Sequence, residues 1–185
     1  MNILLFATSL RAASLNKKLI KVAASLASQV PGVQVEVVDL KSFSIPLYDG
    51  DIEDAGMPVG VTELGKKVAA ANALILSTPE YNGSIASPTK NTLDWLSRLS
   101  PVPLEGKPIL LLGASPGALG AMRGLIHARN PFDVLGTHLY HLPFGLPRAH
   151  EAFTDEGDLK DAATKKRLND LIGKFVIYAK RFPRE

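Results

Sequence analysis

The chain contains no cysteine among its 185 residues. This absence excludes disulfide bonds, metal sites built on thiolates and catalysis by a thiol. It also fits a reducing compartment, where disulfides are rare, and we expect a cytoplasmic location.

The sequence also lacks a large excess of charge of either sign. Lys and Arg number 21 and Asp and Glu number 18, which gives a net charge of +3, and the basic residues are spread along the chain. A nucleic-acid-binding protein normally concentrates basic residues in one stretch or on one face. We therefore expect no nucleic-acid partner, although a weakly basic surface can favour small anions.

Long hydrophobic runs are absent as well. No apolar run approaches the roughly 20 residues that a membrane helix needs, so we expect no membrane partner. The apolar N-terminal segment MNILLFATS has no basic residues before it and no cleavage-like site, and we interpret it as a first strand. The length suits one domain over residues 1–185, and 46% apolar with 21% charged residues is ordinary for a globular protein.

What the sequence does contain is an alternation of short apolar runs with helical patterns. The runs predict five strands, at residues 2–7, 33–39, 73–77, 109–114 and 137–142. Helical spacing follows each strand: Ser14 is a good N-cap for the first helix, and the last helix is predicted over about 158–182. Residues 42–60 are rich in Pro, Gly and Asp and are predicted to form a long loop or a short edge piece.

This alternation favours a parallel sheet with helices on both faces. In such sheets, ligands bind at the carboxyl ends of the strands, beside the point where the strand order reverses. With the order 2-1-3-4-5, strands 1, 3 and 4 are neighbours. The loops that follow these three strands then converge on one rim, and each has an unusual composition.

The first of these loops reads TSLRAASLN, residues 8–16. It supplies hydroxyl groups, the Arg11 guanidinium and the Asn16 amide, and it ends at a helix N-terminus, where free N–H groups attract anions. It contains no glycine, so it is neither of the two common glycine-rich nucleotide loops. Its pattern favours one terminal phosphate, and the alternative is a capped turn with an exposed arginine.

The second loop reads TPEYNGS, residues 78–84. Gly83 permits unusual backbone angles or the close approach of a flat ligand. Pro79 stiffens the exit from the strand, and three polar residues stand between the two. We interpret this loop as the holder of one edge of a flat redox cofactor. The alternative is a structured turn with Tyr81 packed on the surface.

The third loop lies within GASPGALG, residues 113–120. Its small residues Ser115, Gly117 and Gly120 would let a planar ring lie against the backbone. The alternative is the start of a helix with Ser115 as its cap.

Other chemistries have little support in the sequence. Two of the four histidines, His138 and His141, are three residues apart in a predicted strand and would point to opposite faces. There is no HExxH pattern and no Gly-x-Ser-x-Gly elbow. We therefore expect neither a metal site nor a serine hydrolase.

Taken together, these segments resemble the NADPH-dependent FMN reductase family, the flavodoxin-like group that includes chromate and quinone reductases. TSLRAASLN is similar to the family's Gly-Ser-Leu-Arg-x-x-Ser-x-Asn, and TPEYNGSIASPTKNTLDW is similar to its Pro-Glu-Tyr-Asn segment with the Lys-Asn-x-x-Asp-Trp helix. GASPGALGAMRG is similar to its Gly-Ala-Ser-Pro-Gly stretch. The likeness extends over nearly the whole chain.

The resemblance implies a flavodoxin-like three-layer sandwich with a five-stranded parallel sheet in the order 2-1-3-4-5. It implies FMN as the cofactor and NADPH or NADH as the electron donor. The acceptor would be a small molecule: a quinone, an azo compound, a metal oxyanion or free flavin. The chemistry would be the flavin's own, so no protein residue is assigned as catalytic.

The resemblance also assigns cofactor contacts. The residues implied around the FMN phosphate are Ser9, Arg11, Ser14, Leu15 and Asn16. Those implied around its ring, largely through backbone groups, are Pro79, Glu80, Tyr81, Asn82, Gly83, Ser115 and Gly117.

The chain departs from the family pattern at two places. Position 8 is Thr where the family usually has Gly, and residues 118–121 read ALGA where the family often has an aromatic residue followed by two glycines. The second departure bears on the packing of the ring or on the nicotinamide site, and leaves the phosphate loop intact.

Two other functions compete with the reductase. One is a flavodoxin-like electron carrier without its own substrate site, although such carriers tend to be strongly acidic and this chain has a net charge of +3. The other is a non-enzymatic domain that binds another ligand through the phosphate loop. The resemblance further implies a homodimer or homotetramer, in which a neighbouring subunit often completes the flavin site.

Overall fold

A computed structural model of the chain describes residues 1–182. A short 3-10 helix, Leu40–Phe43, lies between the second strand and the second α-helix. The strands and α-helices, in chain order, are β1 Asn2–Ala7, α1 Leu15–Ser28, β2 Gln34–Asp39, α2 Gly50–Ala55, α3 Val59–Ala70, β3 Ala73–Ser77, β4 Glu80–Tyr81, β5 Ser84–Ile85, α4 Ser87–Leu96, β6 Pro108–Ala114, α5 Met122–Val134, β7 His138–Leu139, β8 Phe144–Leu146 and α6 Ala162–Ala179.

The main sheet is parallel and has the order β2-β1-β3-β6-β7. This confirms the predicted order, in which β6 takes fourth place. The fifth position is shared by two short strands, because β7 pairs with the start of β6 and β8 pairs with its end. The predicted strand 137–142 is therefore limited to β7, and the chain re-enters the sheet at Phe144 after Pro143, which has no N–H to donate to a ladder.

Helices cover both faces of the sheet, as predicted. Successive residues of β1 alternate between the faces: Ile3 and Leu5 belong to a core shared with α1 and α6, and Leu4 and Phe6 to a core shared with α3, α4 and α5. Burial on both faces explains why the central strands read as continuous apolar runs. The result is the three-layer sandwich of the flavodoxin-like fold.

The region predicted as a loop, residues 42–60, is more ordered than its composition indicates. It contains α2, which Asp49 caps by accepting a hydrogen bond from the amide of Asp51, and it ends as α3 begins at Val59. Because α2 buries none of its residues, it has no apolar stripe by which sequence periodicity could detect it. No helix within residues 1–182 is long and apolar enough to cross a lipid bilayer.

Candidate functional site

The three loops predicted to converge do meet, at the carboxyl ends of β1, β3 and β6. Together they line a shallow cavity of about 140 Å³. Its lining residues are Ser9, Arg11, Ser14, Leu15, Asn16, Pro79, Glu80, Tyr81, Ala114, Ser115 and Pro116. Three of the residues predicted for the site lie outside this lining: Asn82, Gly83 and Gly117.

The loop after β1 carries hydrogen-bond donors that the protein itself does not use within the described residues. Within residues 1–182, the amide N–H groups of Ser9, Leu10 and Arg11 donate to no protein acceptor, and the Arg11 guanidinium has neither an ion pair nor a hydrogen bond. Ser14 caps α1, its Oγ accepting hydrogen bonds from the amides of Asn16 (3.2 Å) and Lys17 (3.4 Å). Free amides, an unpaired guanidinium and a helix N-terminus are the kinds of group that bind anions in proteins.

The Asn16 side chain, which was predicted to contact the phosphate, forms three hydrogen bonds within the protein. Its Oδ1 accepts hydrogen bonds from the amide of Ala114 (2.9 Å) and from Ser77 Oγ (2.8 Å). Its Nδ2 donates to the carbonyl of Ala114 at 3.1 Å, and the residue is only 4% exposed. The Asn16 side chain thus ties the start of α1 to the ends of β3 and β6, and so holds the three loops in register.

The loop after β3 is a tight hairpin. The two-residue strands β4 and β5 pair antiparallel, and Asn82 and Gly83 form the turn with φ values of 51° and 76°. Two successive residues with positive φ are typical of a type I′ turn, which favours Asn-Gly. Tyr81 is half-exposed at the rim, with 50% of its surface accessible.

Glu80 fastens this hairpin to α5. Its carboxylate accepts hydrogen bonds from the Arg123 guanidinium (2.6 and 2.8 Å) and from the amide of Gly124 (3.1 Å). The helix has no side-chain cap of its own, because its N-cap position is Ala121, so Glu80 serves as the cap from outside. Burial raises the pKa of Glu80, but the Gly124 amide and the Arg123 guanidinium outweigh it and hold that pKa below its usual value.

We expect Glu80→Gln to lower the free energy of unfolding at neutral pH by about 1 kcal/mol, because a charge-assisted contact is lost and the exposed Arg123 is partly screened by solvent. Because the pKa of Glu80 is lower in the folded state than its ordinary value of 4.5, the ionised carboxylate stabilises the fold at pH values above 4.5. This stabilisation is lost as the pH falls through the folded-state pKa. The difference between the two proteins should therefore shrink towards pH 3 in urea unfolding.

The matched control is Glu63→Gln, since Glu63 is exposed on α3 and has no ion pair within residues 1–182. That variant should unfold like the unmodified protein at both pH values. A Glu80→Gln deficit that persists unchanged at pH 3 would contradict the assignment of Glu80 as an ionised cap.

The loop after β6 is tied to residues 146–149. The amide of Ser115 donates to the carbonyl of Leu146 (3.2 Å), and the carbonyl of Ser115 accepts from the amide of Ala149 (3.0 Å). Ser115 Oγ accepts from the amide of Gly117 at 3.1 Å, so Ser115 shapes the loop and does not cap α5, which begins at Met122. Ala121, in the ALGA departure, has a left-handed backbone with φ 70°, a conformation that glycine adopts with less strain.

Thr8, the other departure from the family pattern, belongs to a buried chain of hydroxyl groups that sequence reasoning missed. Its Oγ1 lies 2.6 Å from that of Thr89, which in turn lies 2.6 Å from that of Thr78. The chain of three threonines connects the ends of β1 and β3 through α4. Their partners are not adjacent in the sequence, and no local pattern indicates the contact.

Comparison with known proteins places this arrangement in context. The family model described as NADPH-dependent FMN reductase matches residues 1–151. An NAD(P)H-dependent FMN reductase from Pseudomonas aeruginosa is 34% identical over 174 residues, covering 94% of this chain and 92% of the relative. A quinone reductase from Escherichia coli K12 is 33% identical over 177 residues, covering 94% of this chain and 92% of the relative.

A solved structure supports the same assignment. The flavoenzyme FerB, an NAD(P)H:(acceptor) oxidoreductase from Paracoccus denitrificans, is 31% identical and superposes with a TM-score of 0.86, over 98% of each chain. The family model and these relatives span the three loops that line the cavity. The chain therefore belongs to the NADPH-dependent FMN reductase family.

Proposed function

We propose that the cavity binds one FMN, and that the protein uses it to reduce a small molecule with electrons from NAD(P)H. As a member of its family, the protein is an oxidoreductase that depends on FMN and NAD(P)H. The observation that carries the site proposal is the convergence of an anion-binding loop with two further loops at neighbouring strand ends. A mononucleotide needs that combination: a pocket for its phosphate beside a rim for its planar ring.

The donors of the first loop fit a phosphate. Arg11 can grip two oxygens with parallel hydrogen bonds, and the unused amides between Ser9 and Arg11 can donate to the same group. The hydroxyls of Ser9 and Ser14 add two donors, and Leu15 opens the helix whose N-terminus faces the anion. Asn16 would act on the phosphate only by holding this loop in place.

The other two loops fit the ring. Pro79, Glu80 and Tyr81 line the cavity on one side and Ser115 on the other, with Gly117 directly behind Ser115. When bound, FMN supplies the hydride and electron transfer. The chain holds the ring's surroundings rigid through Glu80, and the amides of Asn82 and Gly83, which donate to no acceptor within residues 1–182, are available to a negatively charged group.

For the acceptor, we propose quinones first, with azo compounds, metal oxyanions and free flavin as further classes. The relative named as a quinone reductase supports the first class, and the relative named as an FMN reductase supports free flavin. Because donor and acceptor would use one cofactor in turn, we expect ping-pong kinetics, with parallel lines in double-reciprocal plots.

We further propose a homodimer or homotetramer in the cytoplasm. A cavity of about 140 Å³ is smaller than the roughly 300 Å³ at which ligand pockets usually begin, so a bound mononucleotide would extend beyond it. A second subunit placed over the rim would complete the enclosure. The lack of cysteine, which fits a reducing compartment, supports the cytoplasm.

A visible absorption spectrum tests the proposal. Purified protein with added FMN should show a flavin absorption band shifted from that of free FMN. Adding NADPH should bleach this band, because the bound flavin is reduced. Protein that binds no FMN would refute the site. A flavin that binds but accepts electrons from neither NADPH nor NADH would instead indicate an electron carrier.

The hairpin tip gives a sharper test of the ring side. We expect Asn82→Ala to lower the turnover several-fold and the stability by about 1 kcal/mol, since alanine at a φ of 51° is strained and would shift the turn. Asn82→Gly removes the same side chain without that strain. It should stay close to the unmodified protein if the tip contacts the cofactor through its backbone.

Steady-state kinetics with a soluble quinone and thermal unfolding, measured on both variants, decide this. Equal losses of turnover in Asn82→Ala and Asn82→Gly would show that the amide side chain itself is needed. A loss of stability without any change in turnover would make the hairpin a purely structural turn.

A further inference from the structure

A second cavity lies between α1 and the edge strand β2. Most of its lining residues are not part of the proposed FMN site. It has a volume of about 550 Å³ and is lined by four lysines, Lys17, Lys18, Lys21 and Lys41, together with Asp39. We call it the lysine groove. Its volume lies within the range of roughly 300–1,000 Å³ that is usual for small-molecule sites.

The lysine groove is strongly positive. Lys17 forms an ion pair with Asp39 at 2.7 Å, and the Lys18 Nζ lies 5.7 Å from the centre of the Phe153 ring. Lys21 and Lys41 have no ion pair within residues 1–182. The charge excess that looks scattered in the sequence is thus concentrated by the fold, because α1 and the segment after β2 bring these lysines together.

The groove also has an apolar wall. Val37 is 47% exposed on β2, which among the described strands pairs with β1 alone and forms an edge of the sheet. Ala12 and Ala13, which are both exposed, also line the groove. A flat apolar surface beside unpaired lysines suits a ligand that has an aromatic ring and a phosphate.

The groove adjoins the proposed FMN site. Ser14 lines both cavities, and the loop residues on either side of the boundary follow one another, with Arg11 lining the FMN site and Ala12 and Ala13 lining the groove. From β2 to the β3–β6 edge is two to three strand spacings, roughly 10–15 Å, which an extended dinucleotide can bridge. A ligand seated in the groove can therefore reach towards the ring side of the rim.

We propose that the lysine groove binds the 2′-phosphoadenosine end of NADPH. This inference rests on the proposed function, because it assumes that NAD(P)H reduces an FMN bound at the adjoining rim. The 2′-phosphate distinguishes NADPH from NADH, and it adds nearly two negative charges at neutral pH. Lys21 and Lys41 bind that phosphate, and the purine packs against Val37.

The test uses FMN-loaded protein and two ligands of matched charge, adenosine 2′,5′-bisphosphate and adenosine 3′,5′-bisphosphate. In calorimetry, the protein should bind the 2′,5′ compound at least tenfold more tightly. The double variant Lys21→Gln/Lys41→Gln should lose that preference. Lys66→Gln is the control, because Lys66 is an exposed lysine of α3 that has no ion pair within residues 1–182, and α3 packs on the other face of the sheet.

Kinetics gives a second readout. In the double variant, KM for NADPH should rise about tenfold, while KM for NADH and kcat stay unchanged. Equal affinity for the two bisphosphates in the unmodified protein, or the same loss in Lys66→Gln, would mean general attraction of anions and would overturn the inference. If the groove fails these tests but NADH still reduces the bound FMN normally, only the inference about the groove is wrong and the proposed function stands. If neither NADPH nor NADH reduces the bound FMN, both proposals are wrong.

Discussion

Asn16→Ala should lower the free energy of unfolding by about 3 kcal/mol and weaken FMN binding at least tenfold. The substitution removes three buried hydrogen bonds and leaves Ser77 Oγ and both backbone groups of Ala114 without that partner. A buried polar group left unsatisfied costs roughly 1–3 kcal/mol, and local relaxation recovers part of the sum. Binding weakens because the phosphate loop and the β6 loop lose their common tie.

Asn16→Asp separates hydrogen bonding from side-chain size. The aspartate keeps an acceptor for Ser77 and for the amide of Ala114, but it places a second oxygen against the carbonyl of Ala114, where Nδ2 now donates. Burial and this repulsion should raise the folded-state pKa of the new carboxyl. A raised pKa favours the folded state at lower pH, so the variant's deficit should shrink as the pH falls and the protonated acid regains a donor.

The matched control is Asn91→Ala. Asn91 also braces a loop through its amide, accepting from the amide of Tyr48 at 2.7 Å and donating to the carbonyl of Pro46 at 2.8 Å, but it does so away from the cavity. The Asn91→Ala variant should have a lower free energy of unfolding than the unmodified protein and the same FMN affinity. If Asn16→Ala unfolds like the unmodified protein while its FMN affinity falls, Asn16 contacts the cofactor directly. Its assignment as the residue that ties the loops together is then wrong.

Sequence reasoning succeeded where the signal is local or repeats along the chain. The continuous apolar runs of β1, β3 and β6 predicted a doubly covered sheet, and the position of unusual loops after them predicted one rim. It failed where short elements depend on tertiary contacts. The six residues of α2 and the two of β7 are too short to show a period.

The difference between local signals and tertiary contacts also explains which features of the candidate site could be predicted. The residue types of the phosphate loop were predicted from their chemistry, and the structure brings them together. Asn16 was predicted as a phosphate contact, and its hydrogen bonds to Ser77 and Ala114 were not predicted, because these partners lie 61 and 98 residues away. Glu80 was assigned to the cofactor, largely through backbone groups, and the ion pair of its carboxylate with Arg123, 43 residues further on, was not predicted. A polar side chain in a functional motif can thus serve the frame of the site, and only the fold tells the two roles apart.

Arg11→Ala should weaken FMN binding by about 2 kcal/mol, which is roughly a 30-fold rise in Kd. The guanidinium has no partner within residues 1–182, so its charge is available for the phosphate, and its removal should leave the melting temperature unchanged. Arg11→Lys keeps the charge but loses the two parallel hydrogen bonds, and its affinity should fall between the two. Fluorescence quenching of FMN on titration measures all three.

Riboflavin is the control ligand, because it carries the same ring without the phosphate. Its affinity should be equal in the unmodified protein and in Arg11→Ala, and the difference between FMN and riboflavin should shrink as salt screens the charge. If Arg11→Ala weakens both ligands alike, the arginine acts on the ring or on the loop conformation. In that case Arg11 does not bind the phosphate, and the contact proposed between its guanidinium and FMN is wrong.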